Sequence, residues 1–545
     1  MTRRRAETGG KPGARPRARS VLALALALAL GSLFAGGTLA DPALIEPGRQ
    51  IYFEGRVGET ALSARRAGGL VAQGSAVACV NCHRRSALGG AEGRTYVPPI
   101  NAGALFNPVA PGTGGAAAGL GRAGYTEATL AQALNHGSDP AGRPLDALMP
   151  RYAFDPGQLH ALMAYLRAQD EAAAPGVSDA GVALATVVAG DVSPARRHIL
   201  RSTLNACAAE HNGGVAPPPR RKRLAGAMAF AAPRPWTLHV WELHGPATGW
   251  AAQLAARSRE QPVFAVVGGV LGSLNPADWS AVHQFCEAQR LPCLYPHLEA
   301  PPSATDGAYT LYTHAGVRLE GELIAHALRI DGARRVVQWL RPGDGAAREG
   351  AAALRAALAG QAVQVEERDF DTFDGTALSS ASAHVLWLRD DDLARVEGAA
   401  GLGPRLFASA SLLEHRPERV PASLRPRVTL AHPHEIGAQR AARRRELEAW
   451  LGQHGLALED EPLQADLMLA CKALQLGLDE VAPRPQADAL IERLESLSER
   501  RGFAGLYPHL SLGSGQRLAS KTGYLVRFSA PDGTQLEALG DALAP

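Results

Sequence analysis

From residue 181 almost to the C-terminus, short apolar runs alternate with amphipathic stretches and turn residues. No other feature limits the fold as much. The apolar runs lie at 182–188, 237–243, 263–267, 309–312, 335–340, 384–388 and 428–431. Between several of them, 194–210, 275–289, 317–329 and 346–358 repeat apolar residues at helical spacing. Strands separated by helices predict parallel βαβ units. So many strands exceed one ordinary sheet, which predicts two lobes: about 181–315 with 432–545, and about 316–431. The long helical patterns at 435–451 and 464–478 would return to pack on the first lobe.

Residues 41–170 read differently, as short helical patterns joined by Gly/Pro/Ala loops such as 111–121. Residues 171–180, EAAAPGVSDA, read as a linker. The chain of 545 residues is therefore multidomain, as its length also predicts.

The N-terminus has the pattern of an export signal. A basic stretch ends at Arg19, an uncharged apolar run follows from Val21, and Thr38-Leu39-Ala40 offers a cleavage site before Asp41. Residues 1–40 are thus expected to be a signal peptide and the mature chain periplasmic, without a stable membrane span. An uncleaved N-terminal anchor is the alternative. The chain's formal charge of +3 is positive only because this segment carries +6. Its seven basic groups and one acid leave about −3 on the remainder, which argues against a nucleic-acid partner. No hydrolase motif is present, so the chain is not expected to be an enzyme.

Six cysteines are present. Cys286 and Cys293 are close enough along the chain to pair. Cys207 and Cys471 either pair or remain buried thiols. Cys79-Val-Asn-Cys82-His83 is the spacing that attaches haem c. The two thiols form thioethers and the histidine reaches the iron as proximal ligand. A zinc site would need a second ligand pair nearby. One covalent haem c is expected, on Cys79 and Cys82, with His83 as iron ligand. Met149, on the extended segment before Pro150, is the expected distal ligand. His136, His160 and Met163 are the other candidates.

These residues carry a resemblance. With Gly48–Tyr52, the prolines Pro98 and Pro99, the pattern 126–137, Gly142-Arg143-Pro144 and the stretch 159–166, residues 41–170 resemble a single-haem class I cytochrome c. The resemblance implies a small all-α domain with both axial positions filled. The spacing of about 25 residues between Tyr52 and Cys79 is longer than in that family.

Residues 181–545 resemble type I periplasmic ligand-binding domains, the group of the branched-chain amino-acid binders. The clearest part is 263–273, VFAVVGGVLGS, followed by a helix and LPCLYP. This implies a two-lobe α/β domain with parallel sheets. Ser273, after the glycines, matches a cleft position, with a plain helix N-cap as alternative. Tyr312 is a second cleft candidate. A small anionic or zwitterionic ligand would suit such a turn. The acid that usually meets an α-amino group has no clear counterpart, since Asp306, Asp344 and Asp390 all read as turn or cap residues.

The first expectation is an exported electron-transfer protein, with the second domain docking periplasmic redox partner proteins or sensing a ligand. The alternative is a periplasmic solute-binding protein of an amino-acid-type uptake or sensing system, with an accessory haem domain. A haem gas sensor is a third reading, and requires Met149 to leave the iron.

Overall fold

The computed structural model describes residues 41–92, 95–110, 121–171, 174–214, 234–302, 306–373, 383–397, 405–481, 484–500, 505–530 and 533–545. The signal segment, most of the loop 111–121 and the basic cluster 220–223 lie outside them. Among the described residues no helix is long and apolar enough to cross a membrane. The chain divides into two compact units between residues 171 and 172.

In the first unit, helix α1 (Pro42–Glu54) starts where the Asp41 carboxylate accepts from Ala43 N–H at 3.0 Å. It ends at Gly55, whose φ of 63° suits glycine. Helix α2 spans Glu127–His136 and α3 spans Pro156–Glu171. Helices α1 and α3 touch at Gly48, where an added Cβ would lie 2.0 Å from the Ala161 carbonyl oxygen. That contact brings Ile51 and Tyr52 into one core with Tyr165 and Leu166.

The unit is not all-α, contrary to the sequence expectation. Strands Ser63–Arg65, Val71–Gln73 and Arg151–Tyr152 form an antiparallel sheet. The long spacing before Cys79 is where this sheet forms. Leu62 and Ala64 are buried while Ser63 and Arg65 are exposed, a period of two that suits a strand.

The second unit is a two-lobe α/β fold. The first lobe contains β1 (Gly181–Ala189), α4 (Pro194–Gly214), β2 (Trp236–Leu243), α5 (Trp250–Glu260) and β3 (Ala265–Val267). It continues with α6 (Ser280–Gln289), β4 (Cys293–Leu294) and β5 (Thr310–His314). The chain then crosses to the second lobe. There it forms α7 (Val317–Ile330), β6 (Arg335–Leu340), α8 (Gly345–Ala357), β7 (Gln364–Asp369), β8 (Ala383–Trp387), α9 (Asp390–Val396), β9 (Leu406–Ser409) and β10 (Val428–His432). It crosses back as α10 (Gly437–Gln453), α11 (Glu461–Val481), α12 (Ala487–Arg500) and β11 (Leu518–Ser520). A last crossing leads to β12 (Tyr524–Phe528) and β13 (Leu536–Ala538).

The first sheet runs β2-β1-β3-β4-β5-β11 with every pair along that order parallel. The second runs β7-β6-β8-β9-β10-β12-β13, parallel as far as β10 and antiparallel beyond it. Strands β12 and β13 thus extend the second lobe, whereas the sequence reading put 432–545 wholly in the first. Burial of Val526 and Phe528 completes the second lobe's core.

Helix α11 packs on the first lobe. Cys471 on α11 forms a disulfide with Cys207 on α4, with the Cα atoms 6.5 Å apart. Cys286 and Cys293 form a second.

Candidate functional site

In open parallel sheets, ligands bind beyond the carboxyl ends of the strands. In the second unit the loops at those ends meet around a cavity of about 310 Å³. The first lobe contributes 191–193 after β1, 271–274 after β3, 297–300 after β4, and His314 at the end of β5. The second contributes Arg389 after β8 and Ser411, Glu414 and His415 after β9. His434 lines it from the crossing after β10, and Asp460 and Asp466 from the start of α11.

Two glycines make this packing possible. Gly269 has φ 133°, a conformation other residues rarely adopt. An added Cβ at Gly272 would lie 2.5 Å from the backbone of Asp191 and Val192.

Ser273 lines the cavity. Its Oγ accepts from Asn275 N–H at 3.0 Å. Regular helix α6 begins only at Ser280, after a 3₁₀ turn over Pro276–Trp279, so Ser273 does not cap it. Tyr312 lies elsewhere, fully buried, with its hydroxyl 2.9 Å from His283 Nδ1. Asp344 caps α8, accepting from Ala347 N–H at 3.1 Å. The Asp306 carbonyl oxygen accepts from His283 Nε2, and Asp390 pairs with Arg419.

The charge balance of the cavity differs from the sequence expectation. Arg389 donates to both oxygens of Glu299 at 2.8 Å, and to Asp344 at 2.7 Å. Glu299 belongs to the first lobe, so this bidentate pair bridges the lobes. Arg196 pairs with Asp460 at 3.3 Å. Both guanidinium groups of the lining are therefore already met by carboxylates. Asp191 and Asp466 add further negative charge, whereas Glu414 is itself paired with Arg419 at 2.9 Å. An anionic ligand is disfavoured.

Sequence reasoning missed the histidines. His297, His314, His415 and His434 line the cavity from four separate segments. The rings of His415 and His434 lie 4.0 Å apart, and those of His314 and His434 6.1 Å apart. His297 Nδ1 donates to Asp466 at 2.8 Å, and Tyr507 Oη donates to the other oxygen of the same carboxylate at 2.8 Å. One signal was available: the pentapeptide Leu-Tyr-Pro-His-Leu occurs at 294–298 and again at 506–510. One copy supplies His297 and the other Tyr507.

Burial, followed by the neighbouring imidazoles and the Arg440 guanidinium, depresses the pKa of His415 and His434 far below the usual imidazole range. Burial lowers His314 to about 4. These rings are neutral at ordinary pH. Tyr295, Glu414 and His415 also have positive φ, at 53°, 52° and 57°. Such backbone costs on the order of 1–3 kcal/mol per residue and gathers at functional sites.

In the first unit, Cys79 is buried and Cys82 exposed, and neither forms a disulfide. His83 is buried, and its Nδ1–H donates to the Pro98 carbonyl at 3.0 Å. A carbonyl only accepts, so this bond fixes the tautomer and leaves Nε2 with its lone pair. Burial lowers the His83 pKa. Met149 is half-buried against the unit's core. His160 pairs instead with Glu127 at 2.8 Å, and Met163 is a core residue.

No family profile matches the chain, and no characterised protein matches it in sequence. Similar solved structures include a fatty acid ABC transporter substrate-binding protein from Thermomonospora curvata. It is 15% identical, with 69% of this chain and 95% of that one covered and a TM-score of 0.49. A possible leucine/isoleucine/valine-binding protein from Rhodopirellula baltica is 15% identical, with 67% and 98% covered and a TM-score of 0.47. A leucine binding protein from Thermotoga maritima is 14% identical, with 67% and 99% covered and a TM-score of 0.47.

The reading of the chain as an electron-transferring cytochrome c, with haem iron as its working centre, is corrected. The larger unit is a two-lobe fold closed around a lined cavity, which a docking module does not need.

Proposed function

We propose that the chain is an exported solute-binding protein whose second unit takes a small polar solute, cationic or uncharged, in the interlobe cleft for uptake or sensing. The interlobe cavity carries this reading, because strand-end loops of both lobes line it and its guanidinium groups are already paired. About 310 Å³ is at the small end of ligand sites. The leucine and fatty acid named for similar solved structures do not transfer readily, because histidines and carboxylates line much of this wall. Thermal melts of the full chain with polyamines, polyols, neutral amino acids and dicarboxylates test the reading. Cationic or uncharged solutes should raise the melting temperature by mass action. A rise with dicarboxylates alone, or with none of these solutes, would overturn it.

We propose further that Cys79 and Cys82 carry an accessory covalent haem with His83 and Met149 as iron ligands. The His83–Pro98 hydrogen bond supports this, since it presents Nε2 in the form an iron ligand requires. Denaturing electrophoresis with haem staining should give a band that Cys79→Ser/Cys82→Ser abolishes. A colourless, unstained full-length protein from a host competent in haem attachment would refute it.

A further inference from the structure

Buried polar side chains nearly always have hydrogen-bond partners, and an exception calls for an explanation. His434 is 2% exposed and lines the interlobe cavity, yet its Nδ1 has no hydrogen-bond partner. The His415 ring, 4.0 Å away, lines the same cavity, and its Nδ1 is also buried without a partner. Two adjacent imidazoles on one wall are thus withdrawn from water without the bonds that normally offset the loss.

Charge narrows what can supply those bonds. Burial keeps both rings neutral. The Arg440 guanidinium acts on both of them, which opposes a cation at their side. Arg440 is itself paired with Glu461 at 3.0 Å, as Arg196 and Arg389 are with Asp460 and Glu299, so an anion meets no unpaired guanidinium. The occupant of this wall is uncharged.

Hydrogen bonding narrows it further. A neutral imidazole has one donor and one acceptor. His314, on the same wall, accepts from Gly316 N–H through Nδ1 at 2.8 Å, so its Nε2 is a donor. No bond at Nδ1 sets which nitrogen of His415 or His434 carries the proton. A hydroxyl both donates and accepts, and so meets either tautomer. Water does the same, and a solute that displaces water must reproduce its hydrogen bonds. Leu271, Leu298 and Pro462 also line the cavity and suit the C–H faces of a carbon frame that carries the hydroxyls.

We propose that the cleft binds an uncharged polyhydroxylated solute of monosaccharide size, a sugar or sugar alcohol, with its hydroxyls on His314, His415 and His434. The inference rests on the cleft being the ligand site and names what it takes. The rings stand in series, His314 6.1 Å from His434 and His434 4.0 Å from His415, so one small solute spans them. A volume of about 310 Å³, at the small end of ligand sites, suits a single sugar unit and not a chain of them.

The test is calorimetric titration of the full chain with xylitol, ribose, arabinose, galactose and glucose, and with leucine, putrescine and succinate for comparison. At least one of the polyhydroxylated probes should bind saturably at one site per chain. His415→Leu and His434→Leu keep the bulk and remove the nitrogens, and each should weaken that binding about tenfold or more. His434→Gln keeps a donor and an acceptor and should recover most of the loss. His326→Gln, outside the cavity lining, should leave binding unchanged. Should the leucine variants fail to fold, deoxy derivatives of the bound probe decide on the wild type, where removal of a hydroxyl that meets an imidazole should weaken binding about tenfold. Binding that survives the leucine substitutions, or the removal of each hydroxyl in turn, would overturn the proposal. Binding of leucine or putrescine with no polyhydroxylated probe would also overturn it, and the cleft reading would stand. Binding of succinate alone, or of no probe, would overturn both.

Discussion

Glu320, on α7, is fully buried, and its carboxyl takes hydrogen bonds from the Ser409 and Ser411 hydroxyls and from Ser411 N–H. Burial outweighs those bonds and raises its pKa from 4.5 to about 8. The folded protein therefore holds a proton there that the unfolded chain releases above about pH 4.5. This contribution to stability is complete below pH 4.5, declines as pH rises, and is lost above about pH 8. Glu320→Gln should remove that decline, so melting curves from pH 5 to 9 should show a flatter profile than the wild type. An identical profile would mean that the carboxyl is ionised in the fold. The same scale shows what the sequence leaves unread. His83 and Ser273 announce themselves through neighbours a few residues away, as a spacing or a glycine turn. The cavity histidines have no such neighbours, because only the topology brings 297, 314, 415 and 434 together.

Elements were legible where burial imposes a period. The runs at 182–188, 237–243 and 335–340 are β1, β2 and β6, each paired in a sheet and largely apolar. Strand β7, Gln-Val-Glu-Glu-Arg-Asp, was not legible, because it is an edge strand with no buried residue and reads as a solvated loop. Strands β12 and β13 were missed as partners of the second lobe for another reason. Alternation in Tyr-Leu-Val-Arg-Phe marks an inner face but does not say which sheet it covers. The 62–73 hairpin of the first unit was hidden by the expectation of helices, although Leu62 and Ala64 carry its period.

Across the second unit as a whole, the lobes are held together at the cleft mouth by Arg389 and Glu299, and by Ala346 N–H donating to the Leu274 carbonyl at 3.0 Å. The ion pair is about a quarter exposed on its arginine side, which weakens it through solvent screening. Arg389→Ala should favour an open form by roughly 1–3 kcal/mol, the range for a hydrogen-bonded charge losing its partners. Small-angle scattering should then report a larger radius of gyration, and urea melts a lower midpoint. An unchanged scattering curve would show that the pair does not restrain the lobes.

The chain passes between the lobes at three places, 314–317, 432–437 and 520–524. Three tethers side by side resist sliding and twisting far better than one, leaving bending about their common line as the soft motion. His314 and His434 sit on two of these tethers, close to the axis. A guest held near an axle has little leverage to swing the doors. Occupancy should therefore be felt as damping, a narrower spread of lobe angles about the same mean. Hydrogen exchange at the tethers would register it more clearly than any change in outline.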